Sequence, residues 1–486
     1  METLSTSVVI VGAGPTGLML ATCLARLGVP YLILDRKSGP TRESRAVVLH
    51  SRTLEILDQL GLADRVLAEA TVASAFRPGY RSTPFRRINL RALAEGTTPY
   101  PHLYVLEQSR TEAILGERLR ELGGSVLWEH GVDGVEETTD GVRVTASEIS
   151  IEARYLVGAD GSASPVRELA GIAFEGRTNE HTFYVMDGHG VRGLDPEVVN
   201  VRLGERDFLL TFPMGAVDHA RLIGVVPTGT GVAIDEADAR LAMQRAFGVS
   251  YEESPWFSTY RVHHKVARDF RAGSILLAGD SAHVHSPVGA QGMNTGLQDA
   301  HNLACKLADV FTGRAPDSYL DRYAAERRPV ALRLVSTTDR VFGAVTSDRL
   351  AARFGRRWVL RFVLPVVAAT VPRLRGSARI FEYLSQTRIH YWMTPGAHGK
   401  RGVVVGRRLP WNGDNHESLR AMAWQVHAYG AAPEVDLDLP VERFPLVRNK
   451  RLVDGMLYLV RPDGFVAASA TADDAAAVFA RSLPRP

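Results

Sequence analysis

Gly12, Gly14 and Gly17 stand in a G-x-G-x-x-G pattern, the first grouping in this chain whose spacing can do chemistry. They follow Ser7-Val-Val-Ile-Val11, a short β-branched run that reads as a buried parallel strand. Leu18, Leu20, Ala21, Leu24 and Leu27 then recur near the helical period, Gly28 stops that helix, and Tyr31-Leu-Ile-Leu34 reads as a second strand ending at Asp35. In this setting Gly12 makes a tight turn, Gly14 lets backbone approach a pyrophosphate, and Gly17 lets helix and strand pack closely. The helix N-terminus, which carries Thr16, offers unpaired N–H groups and a positive dipole end to phosphate. Asp35, followed by Arg36, stands where a carboxylate accepts from a ribose hydroxyl. Gly12, Gly14, Thr16, Gly17, Asp35 and Arg36 therefore mark a dinucleotide site, without separating FAD from NAD.

Two further segments separate them. Tyr155-Leu-Val-Gly158-Ala-Asp160-Gly161, followed by Ser164 and Arg167, resembles the DG motif of flavoprotein aromatic hydroxylases. Ser274-Ile-Leu-Leu-Ala-Gly279-Asp280-Ser-Ala-His283 resembles their GD motif and continues into Pro287-Val-Gly289-Ala-Gln291-Gly292-Met293-Asn294. The ordered set of three motifs is similar to that of the group A, single-component FAD monooxygenases, which include phenol hydroxylases and aromatic polyketide hydroxylases. The resemblance covers most of the chain. It implies non-covalent FAD, NADPH or NADH as a transient reductant, and dioxygen. A C4a-hydroperoxide of the flavin would then hydroxylate a phenolic or polycyclic aromatic substrate. It also implies that Arg45 contacts the FAD phosphates and helps the flavin ring move, that Gln108 lines the cofactor, and that Asp160 orients a loop.

Physical reading agrees with the second motif. Asp280 stands at the carboxyl end of an apolar strand, where doubly wound folds hold ligands, and can hydrogen-bond a ribityl or ribose hydroxyl. A helix from about Met293 to Phe311 opens behind a Gly/Pro loop, so its N-terminus can face the pyrimidine edge of the flavin and stabilise negative charge there. Gly289 and Gly292 let backbone approach a flat ring, and Met293 and Asn294 open the helix. The residues nearest to catalysis are thus Arg45, Pro287 and Gly289, through flavin positioning. His50, Tyr184 and Tyr260 are candidates for a base on a phenol, none of them singled out.

The elements that must hold these groups define an α/β fold. Residues 1–175 and 271–394, the latter including a helical segment after 310, are expected to form the Rossmann-like (GR2-type), doubly wound FAD-binding domain that the resemblance implies. Residues 176–270 lose the βαβ rhythm and read as an inserted antiparallel β substrate domain, joined by 70–100 as a lid. Phe212, Pro213 and Met214 are its candidate pocket residues. Glu326-Arg327-Arg328-Pro329 closes a helix beginning near Ser318. Through Gly406-Arg-Arg-Leu-Pro410 and Leu459-Val-Arg-Pro462-Asp-Gly464-Phe-Val-Ala467, residues 395–486 resemble the thioredoxin-like C-terminal domain of the same family, here without CxxC, which leaves packing or homodimerisation as its expected role.

Composition narrows the remaining classes. The 57 basic and 54 acidic residues are interspersed with no polybasic tail, which argues against nucleic acid. Two cysteines, Cys23 and Cys305, can form neither a disulfide framework nor a Cys-rich zinc site, and suit the cytoplasm. His283-x-His285 and His263-His264 read as hydrogen-bonding groups, with no metal expected. The apolar run over 358–371 is interrupted by Arg361 and Pro365 and is too short to span a membrane, so it reads as a buried or interfacial helix. A single dinucleotide fingerprint disfavours a two-Rossmann enzyme. Baeyer–Villiger oxygenation on the same scaffold stays open, as does a non-catalytic flavin-bound module; a halogenase lacks its WxWxIP motif here.

Overall fold

A computed structural model describes residues 2–41, 46–94, 96–205, 207–225, 234–285, 289–346, 365, 370, 377–391, 404–445 and 451–485. The expectations for Ser44-Arg45, for Pro287 and for a helix over 358–371 lie outside the described residues, save 365 and 370.

The first sheet is built on β1 (Glu2–Val11), a run whose last four residues are buried. β1 pairs in parallel with β2 (Tyr31–Asp35) on one side and with Ile149–Gly158 on the other, and Ile275–Leu277 adds in parallel beyond that. Val8 to Ile10, Leu156, Val157, Leu276 and Leu277 are all buried, the near-continuous apolar runs that a parallel sheet covered on both faces requires. Register decides the function of this sheet. Val11 lies opposite Gly158, and Gly158 opposite Leu277, so the three sequence motifs leave their strands at one edge. β1 has its sequence neighbour β2 on one side and a distant strand on the other. The crevice there is a topological switch point, where such sheets hold ligands.

α1 (Pro15–Arg26) and the helix Gly292–Phe311 pack against each other beside this edge. Their approach is set by missing side chains. A Cβ on Gly17 would overlap the Gly12 carbonyl oxygen, and one on Gly279 or Gly296 would overlap Thr16 Oγ1.

The second sheet has nine strands, mostly antiparallel, dominated by the pair Phe174–His189 and Glu253–Ala267. Ala75–Tyr80 joins it in parallel beside Val199–Leu203. Side chains alternate between its faces. Phe183, Val185, Phe208, Phe212 and Ile223 share one apolar cluster with Leu90 and Leu93. Tyr184, Met186, Leu209 and Leu222 share another with Ala239, Met243 and Phe247 of the helix Glu236–Phe247.

A four-stranded sheet follows near the C-terminus, ordered Val441–Phe444, Gln425–Tyr429, Leu457–Val460, Val466–Ala470, and flanked by the helix Ala472–Ser482. It docks on the helices Gly292–Phe311 and Asp321–Thr346 through buried charge. Glu326 accepts from Lys306 Nζ at 2.8 Å and from Arg461 at 2.7 and 2.9 Å, while Asp463 accepts from Arg461 at 2.7 Å and from Asn302 at 3.1 Å. Burial alone would raise the Glu326 carboxyl, but Arg461 and Lys306 hold it well below the usual range. Burial lowers Lys306 to about 8.

One helix boundary differs from the sequence expectation. The helix ending in Glu326-Arg327-Arg328-Pro329 begins at Asp321, after a 3₁₀ turn over Asp317–Leu320, and continues through Pro329 to Thr346. An interior proline costs about 3 kcal/mol. Burial of Val330, Ala331 and Leu334 on the next turns offsets it.

Replacing Glu326 by Gln leaves Lys306 and Arg461 short of a buried counter-charge; the expected loss is about 3–5 kcal/mol, read as a lower urea midpoint. Burial lowers His50 and His416 to about 4, and His301 and His427 to about 3. Between pH 6.5 and about 4 the unfolded chain therefore binds protons that the folded one refuses. Stability falls as pH drops through that window, by about 1.4 kcal/mol per unit for each such histidine. Urea midpoints at pH 7 and pH 5 check the sign.

Candidate active site

A cleft of about 940 Å³ runs along the edge where the three motifs meet. Its size stands at the upper end of the roughly 300–1,000 Å³ typical of ligand pockets. Of the residues singled out in the sequence, Gly12, Gly14, Thr16, Asp35, Arg36, Gln108, Asp160, Asp280, Gly292, Met293 and Phe212 line it.

Others stand behind the wall. Gly17 and Gly279 serve the close helix–strand contacts described above. The Asn294 side chain is consumed internally: Oδ1 accepts from His50 N at 2.9 Å and Thr53 Oγ1 at 2.7 Å, and Nδ2 donates to Val48 O and Ala290 O. Gly289 turns the loop at φ +96° without reaching the cleft wall. Pro213 is buried in its strand, and Met214 packs on the apolar cluster of the second sheet.

The electrostatics suit an anionic, hydroxyl-bearing ligand. α1 has Gly14 as its N-cap, and the helix Gly292–Phe311 has Gln291; neither has a capping side chain or an acidic first turn. The first amides of both helices are thus left for a ligand. The helix Glu236–Phe247, by contrast, is closed by Asp235, whose Oδ1 accepts from Asp238 N at 2.8 Å. Asp35 spends both oxygens on protein, Oδ2 on Ala13 N at 2.8 Å and Oδ1 on Lys37 N at 2.9 Å, and so stiffens the glycine turn as well as lining the cleft. Asp160 Oδ2 accepts from Val166 N at 3.1 Å; its buried Oδ1 has no partner among the described residues. Burial raises its carboxyl. Asp280 is open to the cleft yet surrounded by protein. Burial raises its carboxyl, with His283 opposing and Asp299 reinforcing. An orphaned carboxylate oxygen, a cleft-facing acid and two uncapped helix ends fit a flavin dinucleotide.

Asp299 fixes the Asp280 turn from behind. Its Oδ2 accepts from His283 Nε2 at 2.7 Å and Gly279 N at 3.2 Å, and its Oδ1 from Arg327 Nε at 2.6 Å. His283 is therefore committed to hydrogen bonding. His285 lines the cleft instead.

Opposite the motifs, the second sheet supplies a wall of Phe212, Ile223, Trp256, Ser258 and Tyr260. Tyr260 stacks on Phe183 with ring centroids 5.6 Å apart, and Trp256 lies under the Arg221 guanidinium at 5.1 Å. The sequence reading missed Trp256, Ser258 and His285. Their signal was present: Trp256, Ser258 and Tyr260 are spaced two apart in one strand and so share a face. Of the base candidates, only Tyr260 lines the cleft. Tyr184 faces the opposite cluster, where burial raises its phenol, and His50 lies behind the loop at Gly289.

Fold and site together define a flavoprotein of the FAD-dependent oxidoreductase class. The chain belongs to the FAD-binding domain family, which matches residues 5–338. It is 34% identical to 6-methylpretetramide 4-monooxygenase of Streptomyces rimosus, over 95% of this chain and 90% of that protein. Among solved structures, the anhydrotetracycline hydroxylase OxyS from the same organism matches with a TM-score of 0.75 and 28% identity, over 97% of this chain and 96% of that one. The Diels–Alderase PyrE3 matches with a TM-score of 0.78 and 28% identity over the whole of both chains. No helix among the described residues is long and apolar enough to cross a membrane.

A methyl group at Gly14 meets nothing within 4 Å and projects into open space, and the backbone there, φ −79° and ψ −174°, suits alanine. Gly14→Ala is expected to keep the wild-type melting temperature without flavin while FAD binding weakens at least about tenfold, by titration. Gly17→Ala, which meets the Gly12 carbonyl, is expected to lose fold stability and flavin together.

Proposed function

We propose that this protein is an FAD-dependent monooxygenase that uses NADPH or NADH and dioxygen to hydroxylate an aromatic substrate, phenolic or of the polycyclic polyketide class. The observation that carries this reading is one continuous cleft joining the glycine turn, Asp280 and an uncapped helix N-terminus to an aromatic wall. The α1 amides with Gly12, Gly14 and Thr16 would hold the pyrophosphate, and Asp35 with Arg36 the adenosine ribose. Gln108 and Asp280 would hold the ribityl chain. Gly292 and Met293 would present their amides to the pyrimidine edge. When bound and reduced, the flavin would activate dioxygen, delivering one oxygen atom to an electron-rich ring while the other leaves as water. Phe212, Ile223, Trp256 and Tyr260 would hold that ring flat and exclude water from it. The Tyr260 hydroxyl can hydrogen-bond a phenol on this wall.

The sheet over 176–270, with 70–100, serves in this reading as the substrate domain. Residues 395–486 serve as a thioredoxin-like domain whose role is packing or homodimer formation. Names among the relatives, tetracycline-type monooxygenases foremost, support a fused polycyclic substrate. The match to a Diels–Alderase favours one second reading, a flavin-bound catalyst of cyclisation without net oxidation.

Purified protein is expected to be yellow, with FAD released on denaturation, and to oxidise NADPH faster when a polycyclic phenol is added, yielding a product 16 mass units heavier. Flavin without substrate-stimulated NADPH oxidation would count against the monooxygenase reading, and a ring-closed product of unchanged mass would then favour cyclisation; colourless protein that takes up no FAD would end both readings. Asp280→Ala should weaken FAD by about 10- to 100-fold, the worth of a charged hydrogen bond. Full flavin retention by that variant would remove Asp280 from the site.

A further inference from the structure

Behind the cleft, Gly289 and Ala290 form a turn in which both residues have left-handed backbone, φ +96° and +51°. For Ala290 that conformation carries a steric cost that must be held in place by its surroundings. Their two carbonyl oxygens converge on one side chain: His50 Nε2 lies 3.2 Å from Gly289 O and 3.0 Å from Ala290 O. Both partners are acceptors, so Nε2 carries the proton and donates a forked bond. The ring is buried, and its Nδ1 has no hydrogen-bond partner among the described residues. The same residue is tied a second time, its backbone N–H donating to Asn294 Oδ1 at 2.9 Å, while Asn294 Nδ2 donates back to Ala290 O at 3.0 Å. Ala290 itself lines the cleft, and Gly292 and Met293 just past the turn continue its wall.

We propose that His50 is a positioning residue for the flavin: by pinning the carbonyls of Gly289 and Ala290 away from the cleft, it turns the following amides toward the flavin's pyrimidine edge. This rests on the FAD reading above and assigns one side chain to the tuning of that cofactor. With the two carbonyls held on the far side, the cleft meets N–H groups and the positive end of a helix, which favour the electron-rich, reduced flavin. With the pin removed, the strained turn can relax and point a carbonyl dipole at the ring, which disfavours it.

The test compares His50→Gln, whose amide nitrogen reaches the position of Nε2, with His50→Leu, which fills similar space without a donor, and His50→Asn, whose amide falls short. The readouts are FAD content, the flavin midpoint potential, and the affinity of oxidised flavin for sulfite, a nucleophile whose addition reports how well negative charge on the ring is stabilised. Expected for the Leu and Asn variants is sulfite binding at least about tenfold weaker and a more negative potential, with FAD still bound; the Gln variant should return to within about threefold of wild type. If Leu fails to fold, Asn carries the comparison. Equal sulfite affinity in wild type, Gln and Asn proteins would overturn the proposal, as would a Gln variant as impaired as Asn. A wild-type protein that binds no flavin would overturn the FAD reading itself, and is told apart because the defect then precedes any substitution.

Discussion

Two helices can bring their N-termini into one cleft only if nothing separates them, and here that space is kept by hydrogens. Gly12 and Gly17 let the start of α1 lie on the end of β1, and Gly279 and Gly296 let the helix Gly292–Phe311 close on Thr16 of α1. Each contact excludes even a methyl group. The remaining features of the site follow from this approach, because the positive ends of both helices then act on a single ligand. Asp35 fixes the first turn through Ala13, and Asp299 fixes the second through Gly279.

Asp299 shows how a buried charge is made tolerable. Burial alone would raise its carboxyl, yet Arg327 and His283 hold it below the usual range. Both are hydrogen-bonded to it, and all three are buried. At the cleft-lining carboxylates Asp160 and Asp280, burial outweighs the opposing pull of Arg167 and His283, and both are raised. Asp299, which organises the fold, is neutralised by protein, whereas Asp160 and Asp280 stay open to the cleft; Asp35, also on the cleft, is already bonded to Ala13 N and Lys37 N. The C-terminal sheet is held by the first kind of charge, Glu326 with Lys306 and Arg461. The same region reaches the cleft indirectly, since Arg52 donates to Asp463 O at 2.7 Å from the helix that His50 caps.

Much of this was legible beforehand where a residue type answers a local demand. A strand, a glycine turn and a helix start occupy some fifteen consecutive residues, and their physics is complete within that span. That is why Gly12, Gly14, Thr16 and the helix Gly292–Phe311 fall where the pattern puts them. Reasoning from one residue type at a time failed where several segments compete for a side chain. Asn294, at the helix opening, reads as a ligand for the cofactor, but four groups from three segments claim its amide first. Pro329 reads as a helix end, and the burial of the turn after it carries the helix on. The spacing of Trp256, Ser258 and Tyr260 was visible as alternation, but nothing local says which face of that strand meets the cleft.

By itself, then, the sequence determined that an α/β dinucleotide-binding fold exists here and where its glycine turns fall, because those depend on backbone conformations that few residues allow, while the choice of flavin came from the resemblance of its motifs. Tertiary structure alone decided that the three loops share one edge, through the register of Val11, Gly158 and Leu277. It also decided that an aromatic wall from a second sheet faces them, and that His50 and Asn294 stand behind the loop. Register and facing are sums over contacts between distant segments, and no single stretch of chain contains the energies that fix them.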